Sequence, residues 1–271
     1  MISKSSLQYF SLINRLKYKF SSIFINEKRY FNLILKGILP RPQYALGLFL
    51  CAAIAKQQGI KKFSAIEFGC WEGEGLLDLE HYSEEIEKIF DIKIEIYGFE
   101  GGTGMPKPTD FKDRLYQFSE GEMKFSTDEN KNRLKKSQFI IGKFKETVPN
   151  FLNGKFAPIG CVFNDADYFS STNDSFGIFK NSENLLPKVF LYFDDLNFSS
   201  KLTGELGAIN YFNENNDLQI ESIPEMAETM SLFWKKWIFL GKRFFLIHNF
   251  NHHLYNERYI NPFYKNLPKK S

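Results

Sequence analysis

No run of eighteen uncharged apolar residues occurs in the sequence, so no helix is expected to cross a bilayer. Cysteine is scarce. Cys51, Cys70 and Cys161 are odd in number, far apart and set in apolar surroundings, which excludes a disulfide framework and reads as buried free thiols of a reducing cytoplasm. Charge of one sign is also missing: 35 Lys and Arg against 32 Asp and Glu leave +3, too little to argue for nucleic acid. Histidine is limited to His81, His248, His252 and His253, and no cysteine accompanies them at ligand spacing, so zinc is not expected. There are no internal repeats, and the only biased segment is the basic tail Lys265 to Ser271. What remains is 43% hydrophobic with a mean hydropathy of −0.32, ample for the core of one large α/β domain with additions or of two small domains.

The chain is organised around Phe63-Ser64-Ala65-Ile66-Glu67-Phe68-Gly69-Cys70-Trp71-Glu72-Gly73-Glu74-Gly75-Leu76-Leu77. A short apolar run ends in an acid, three closely spaced glycines follow, and a helix-permissive segment comes next. This reads as strand, glycine turn, helix: a backbone without Cβ that a ligand can approach, beside unpaired helical N–H groups. The dinucleotide fingerprint needs a third glycine where Asp78 stands, and Glu72 and Glu74 inside the turn would repel a pyrophosphate. A ligand without phosphates that carries a cation fits better, with Glu67 facing the amino or sulfonium region of S-adenosylmethionine. A glycine turn with no ligand is the plain alternative.

Strand and helix then alternate. Strands are expected at Ser64 to Phe68, Lys93 to Phe99, Phe139 to Phe144, Ile159 to Asn164, Lys188 to Phe193, Gln219 to Ile223 and Arg243 to Asn249. Helices are expected at Tyr44 to Gln58, from Gly75 to Phe90 with a break near His81, at Lys145 to Leu152, Thr172 to Leu185, Gly204 to Asn213 and Met226 to Trp237. Gly101 to Lys136 reads as a long active-site loop with a short helix around Asp128 to Lys136. The alternation predicts a mostly parallel seven-stranded sheet with helices on both faces and an antiparallel last strand.

Acids stand at four strand tips, where doubly wound sheets bind ligands. Glu100, twenty-five residues beyond Gly75, is placed to accept both ribose hydroxyls of an adenosine. Asp165, Asp167, Asp194 and Asp195 would converge if the fourth and fifth strands are neighbours. Carboxylates that close repel unless a cation neutralises them, and hard oxygen ligands suit Mg²⁺, Ca²⁺ or Mn²⁺. A general base among them, or ordinary helix capping by Asp194-Asp195, stays open. His248, leaving the last strand, is a candidate base.

Residues 1–41 carry Lys4, Arg15, Lys17, Lys19, Lys28, Arg29, Lys36 and Arg41 against Glu27 alone, with Leu7, Phe10, Ile13, Leu16 and Phe20 at helical spacing. This is a basic amphipathic extension suited to packing on the domain or to weak contact with an anionic membrane or partner, a second copy of the chain included. It has neither the compact apolar core nor the cleavage site of a secretory signal. The catalytic domain is expected at 42–264 and the basic tail at 265–271.

Four ordered blocks resemble one family. Gly98-Phe99-Glu100-Gly101-Gly102-Thr103-Gly104-Met105-Pro106, Ile140-Ile141-Gly142-Lys143-Phe144-Lys145-Glu146-Thr147-Val148-Pro149, Asp165-Ala166-Asp167-Tyr168-Phe169-Ser170-Ser171-Thr172 and Phe193-Asp194-Asp195 look like the macrocin O-methyltransferase (TylF-like) group. The similarity spans roughly Pro42 to Asn213. It implies a Rossmann-like, S-adenosylmethionine-dependent O-methyltransferase acting on a sugar hydroxyl of a small molecule or glycan precursor. Carried over, the cofactor contacts are Glu67, Gly69, Gly73, Gly75, Glu100 and Asp165. The Mg²⁺ ligands are Asp165, Asp194 and Asp195, and Asp165 would bridge metal and substrate. Glu100 stands where the family has Asp, and Gly102-Thr103 where it has Phe-Glu, so the acceptor pocket departs from the pattern. A non-catalytic relative that binds cofactor or a partner, or an NAD-dependent sugar-modifying enzyme, are the competing readings.

Overall fold

The structure, a computed structural model, describes residues 26–113, 118–124, 132–233 and 235–255. Its seven strands are β1 Lys62–Phe68, β2 Lys93–Glu100, β3 Gln138–Ile141, β4 Ile159–Asn164, β5 Leu185–Phe193, β6 Gln219–Ser222 and β7 Phe244–His248. They form one sheet in the order β3-β2-β1-β4-β5-β7-β6. The pairs among β1 to β5 are parallel, and β7 runs antiparallel to both β5 and β6. The near-continuous burial of β1, β4 and β5 explains the architecture, because strands apolar on both faces need helices on both sides.

The helices are α1 Glu27–Leu35, α2 Pro42–Gln57, α3 Glu74–Phe90, α4 Phe144–Leu152, α5 Phe169–Ser175, α6 Gly204–Asn215, α7 Pro224–Ser231 and α8 Trp237–Gly241. One face of the sheet is covered by α1, α2, α3, α7 and α8, whose Tyr30, Ile34, Phe49, Leu76, Tyr82 and Trp237 share a core with Phe163 and Tyr192. On the other face Val148, Phe176, Phe212 and Phe169 pack against Phe68, Phe99 and Phe193.

Several expected helices are corrected. The helix after the glycine turn is unbroken from Glu74 to Phe90, since His81 follows a run of helix formers and nothing in it removes a backbone donor. The helix expected over Thr172 to Leu185 closes at Ser175 and gives way to two 3₁₀ turns, Phe176–Phe179 and Ser182–Asn184. Leu185-Leu186-Pro187 then joins β5, where burial on both sides outweighs helical spacing. The helix expected over Met226 to Trp237 is divided into α7 and α8. Residues 132–136 are turn and bend rather than helix, and the rest of the short helix expected there, 128–131, lies outside the described residues.

Within the extension expected at 1–41, the described residues 27–39 pack on the domain. Tyr30, Ile34, Leu35 and Leu39 are buried, and the buried Trp237 donates its indole N–H to the Leu35 carbonyl at 2.8 Å. The amphipathic run Leu7 to Phe20 and the basic tail lie outside the described residues.

Candidate functional site

The site grows from the sheet order. Because β1 lies between β2 and β4, consecutive crossovers leave its C-terminal tip in opposite directions and open a crevice there. Backbone bonds lace the tips together: Gly69 N–H donates to Phe99 O at 2.9 Å, Asp165 N–H to Phe68 O at 2.8 Å, and Asp194 N–H to Asn164 O at 3.0 Å. Gly69 and Gly73 both have positive φ, of 81° and 77°. At Gly69 a Cβ would land on the carbonyl of Asp165, so the β1 and β4 tips can meet only over a residue without a side chain.

Gly75, in the first turn of α3, leaves the space that Glu67 fills; a Cβ there would strike the Glu67 carboxyl. Glu67 is buried and accepts the Tyr44 hydroxyl proton on Oε1 at 2.8 Å, while its Oε2 has no partner. Burial lifts its pKa to about 7. Nearby, Arg41 pairs with Asp78 at 2.9 Å and its positive field opposes that rise. An orphaned, buried carboxylate oxygen beside a helix N-terminus fits a ligand that brings a cationic donor, as the amino acid end of S-adenosylmethionine does.

Glu100 sits at the tip of β2. Its two oxygens accept the N–H groups of Trp71, at 3.0 Å, and Gly102, at 3.1 Å. These bonds fix the carboxylate while each oxygen keeps a lone pair for a ribose hydroxyl. The acids of the turn are balanced from the long loop, where Arg133 pairs with Glu74 and donates to the Glu72 carbonyl at 3.3 Å. Glu67, Gly69, Gly73, Gly75 and Glu100 thus gather at and around the β1 tip, with Asp165 against Gly69.

Beyond it, Asp165, Asp167 and Asp195 bring carboxylate oxygens within 4.8 Å of one another. Asp167 adopts φ 58°, and the Tyr168 N–H donates back to Ala166 O at 2.6 Å across it, a strained tight turn that aims its side chain inward. Burial and the neighbouring acids push Asp165 well above the carboxylate range and Asp167 up to about 10. Such a group is stable only if it shares protons or holds a cation, and three convergent carboxylates fit a hard divalent ion. Asp194, expected beside Asp165 and Asp195, stands near enough for its charge to help raise Asp165, while its own carboxylate is held by Arg243 at 2.9 Å and by the Tyr192 hydroxyl at 2.9 Å.

His248 is not at the site. β7 runs antiparallel to β5 and pairs His248 with Lys188, near the start of β5, so the histidine lies toward the opposite edge of the sheet from the acid-bearing tips. There it meets the Tyr255 hydroxyl at 2.6 Å and Glu221 at 3.0 Å.

Several residues escape sequence reasoning. Tyr44 arrives from α2, and its only signal is an aromatic residue close to the Pro42 helix start. Glu205, fully buried in the first turn of α6, accepts Asn164 Nδ2–H at 3.0 Å and Asp195 N–H at 2.8 Å, and its pKa rises to about 8 through burial and Asp195. Asp113, buried in the long loop, accepts the N–H groups of Thr109 and Asp110 and both the N–H, at 2.8 Å, and hydroxyl, at 2.9 Å, of Ser170. That carboxylate ties the loop to the start of α5, and the Gly204 N–H to Lys112 O bond of 3.0 Å ties it to α6.

No protein-family model and no curated protein matches the chain. Solved structures do. The calicheamicin methyltransferase CalS11 superposes with a TM-score of 0.51 at 20% identity, over 81% of this chain and 90% of that one. An apo structure of CalS11, described as a TDP-rhamnose 3'-O-methyltransferase of calicheamicin biosynthesis, gives 0.43 at 19% identity, over 83% and 92%. An O-methyltransferase from Bacillus cereus in complex with SAH gives 0.40 at 13% identity, over 89% and 97%. The first likeness shows a Rossmann-like methyltransferase fold; the scores below one half are too low to add to it.

Proposed function

We propose that the chain is a cytoplasmic S-adenosylmethionine-dependent O-methyltransferase of macrocin O-methyltransferase type. It would methylate a hydroxyl of a sugar-containing small molecule or glycan precursor with the help of Mg²⁺. The observation that carries this reading is the meeting, across the β1 and β4 tips, of a glycine-lined crevice between two carboxylates and a cluster of three more. The fold it shares with the calicheamicin methyltransferase supports it.

In this reading Glu100 holds the ribose hydroxyls and Glu67 meets the cationic end of the cofactor. Glu67 at about 7 would lose its proton as that end arrives. Gly69, Gly73 and Gly75 leave room for the ligand against the backbone. Asp165, at the boundary between crevice and acid cluster, orients the acceptor hydroxyl toward the methyl group, so much of the acceleration comes from proximity. The residues that would hold the metal are Asp165, Asp167 and Asp195, with Asp194 beside them paired to Arg243. A bound Mg²⁺ would supply Lewis-acid polarisation of the acceptor oxygen. Glu205 holds the Asp195 backbone in place, and Asp113 ties residues 109–113 to the start of α5.

Isothermal titration of S-adenosylhomocysteine, with and without Mg²⁺, tests the reading. Micromolar binding that disappears in Glu100→Ala is expected, followed by Mg²⁺-stimulated transfer of labelled methyl to nucleotide-linked sugars. Absence of binding in both conditions would overturn it.

A further inference from the structure

We propose that the stretch from Ser231 to Arg243 docks the protein on an anionic membrane surface. This does not depend on methyl transfer. Residues 232–243 read Leu-Phe-Trp-Lys-Lys-Trp-Ile-Phe-Leu-Gly-Lys-Arg: seven apolar or aromatic residues, four cations and no acid. The core needs few of them. Trp237 and Leu240 are buried, whereas Leu232 is 84%, Phe239 62% and Phe233 53% exposed, with Ile238 exposed beside them. Large apolar side chains gathered on one short exposed stretch mark a surface that something else covers.

The charges name the occupant. Lys235, Lys236 and Lys242 are exposed among the apolar groups. Helix α1, fixed to α8 by the Trp237 to Leu35 bond of 2.8 Å, adds exposed Lys28, Arg29 and Lys36 against exposed Glu27. The nearest acids in sequence, Glu225 and Glu228, stand earlier on α7. A second copy of the chain on this patch would set these cations against themselves, while anionic headgroups neutralise them and the acyl boundary accepts Leu232, Phe233, Ile238 and Phe239. Lysines interleaved with aromatic residues are the composition of segments that lie in a bilayer interface.

Topology sets the anchorage. α7 begins two residues after the C-terminal end of β6 and α8 stops three residues before β7 begins, so the α7–α8 hairpin starts and finishes at the end of the sheet where the acids stand. Arg243 joins the two regions: its side chain holds Asp194 at 2.9 Å and its carbonyl accepts the Phe193 N–H at 3.1 Å.

Co-sedimentation of the full chain with phosphatidylglycerol-rich vesicles and with pure phosphatidylcholine vesicles tests this. Pelleting with the anionic vesicles alone is expected. Lys235→Ala with Lys242→Ala should weaken it about fivefold per lysine, and Phe233→Ser with Phe239→Ser by at least about tenfold. Neither pair should move the melting temperature, because all four side chains are exposed. The proposal fails if anionic vesicles do not pellet the protein, or if both double variants pellet like wild type. It fails equally if sedimentation velocity shows a dimer that Phe233→Ser with Phe239→Ser abolishes, which would assign the patch to a second copy.

Discussion

At the residue scale the site is held by acids whose protons are out of place. Glu67 keeps its proton to about 7 when folded against an ordinary 4.5, so the folded state binds the proton more tightly than the unfolded chain. The stability it contributes is therefore full below pH 4.5 and falls as pH rises through 7. Glu67→Gln should remove that loss, raising the stability of the ligand-free protein at pH 8 by on the order of 3 kcal/mol. Glutamine still accepts the Tyr44 hydroxyl. The same variant should weaken S-adenosylmethionine, which needs the charge; thermal melts from pH 4 to 8 with a titration check both outcomes. Asp167→Asn follows the same logic. Asparagine tolerates the left-handed backbone of Asp167, so ligand-free protein should melt higher, while Mg²⁺-stimulated turnover should drop on the order of 100-fold.

At the scale of elements, two glycines separate backbone from side-chain effects. Gly69→Ala forces a Cβ into the Asp165 carbonyl at a positive φ and should cost at least about 3 kcal/mol, read in denaturant melts, because the β1 and β4 tips can no longer meet. Gly75→Ala keeps a helical backbone and displaces only the Glu67 carboxyl, so the fold should survive while cofactor affinity falls. Asp113→Ala strands the four donors that it satisfies. It should release the loop from α5, costing about 2 kcal/mol and exposing residues 101–113 to proteolysis.

Across the whole molecule, the ligand-free acid cluster is a reservoir of repulsion that a cation relieves. Mg²⁺ at one hundred times its dissociation constant should stabilise the fold by about 2.7 kcal/mol, and chelation should return the melting temperature to its starting value. A melting temperature indifferent to Mg²⁺, Mn²⁺ and Ca²⁺ would remove the metal from the mechanism. Trp237→Phe should cost about 1 kcal/mol through the lost Leu35 bond and loosen α1 from the sheet.

The sequence by itself determined the order of strands and helices, the glycine turn and the acids at strand tips, because each rests on local chemistry: apolar runs, missing Cβ atoms and a carboxylate closing a strand. β4 was legible to the residue. Tertiary structure alone decided which carboxylates converge. Asp194 and Asp195 are adjacent in the chain, yet neighbouring residues leave a strand in different directions, and Arg243 from β7's approach claims the first while Asp167's turn meets the second. It also decided that His248 stands far from the tips, since an antiparallel strand carries its last residue back along the sheet. Tyr44, Asp113 and Glu205 gain their roles only from packing, because an isolated tyrosine or acid has no pattern until a buried donor faces it.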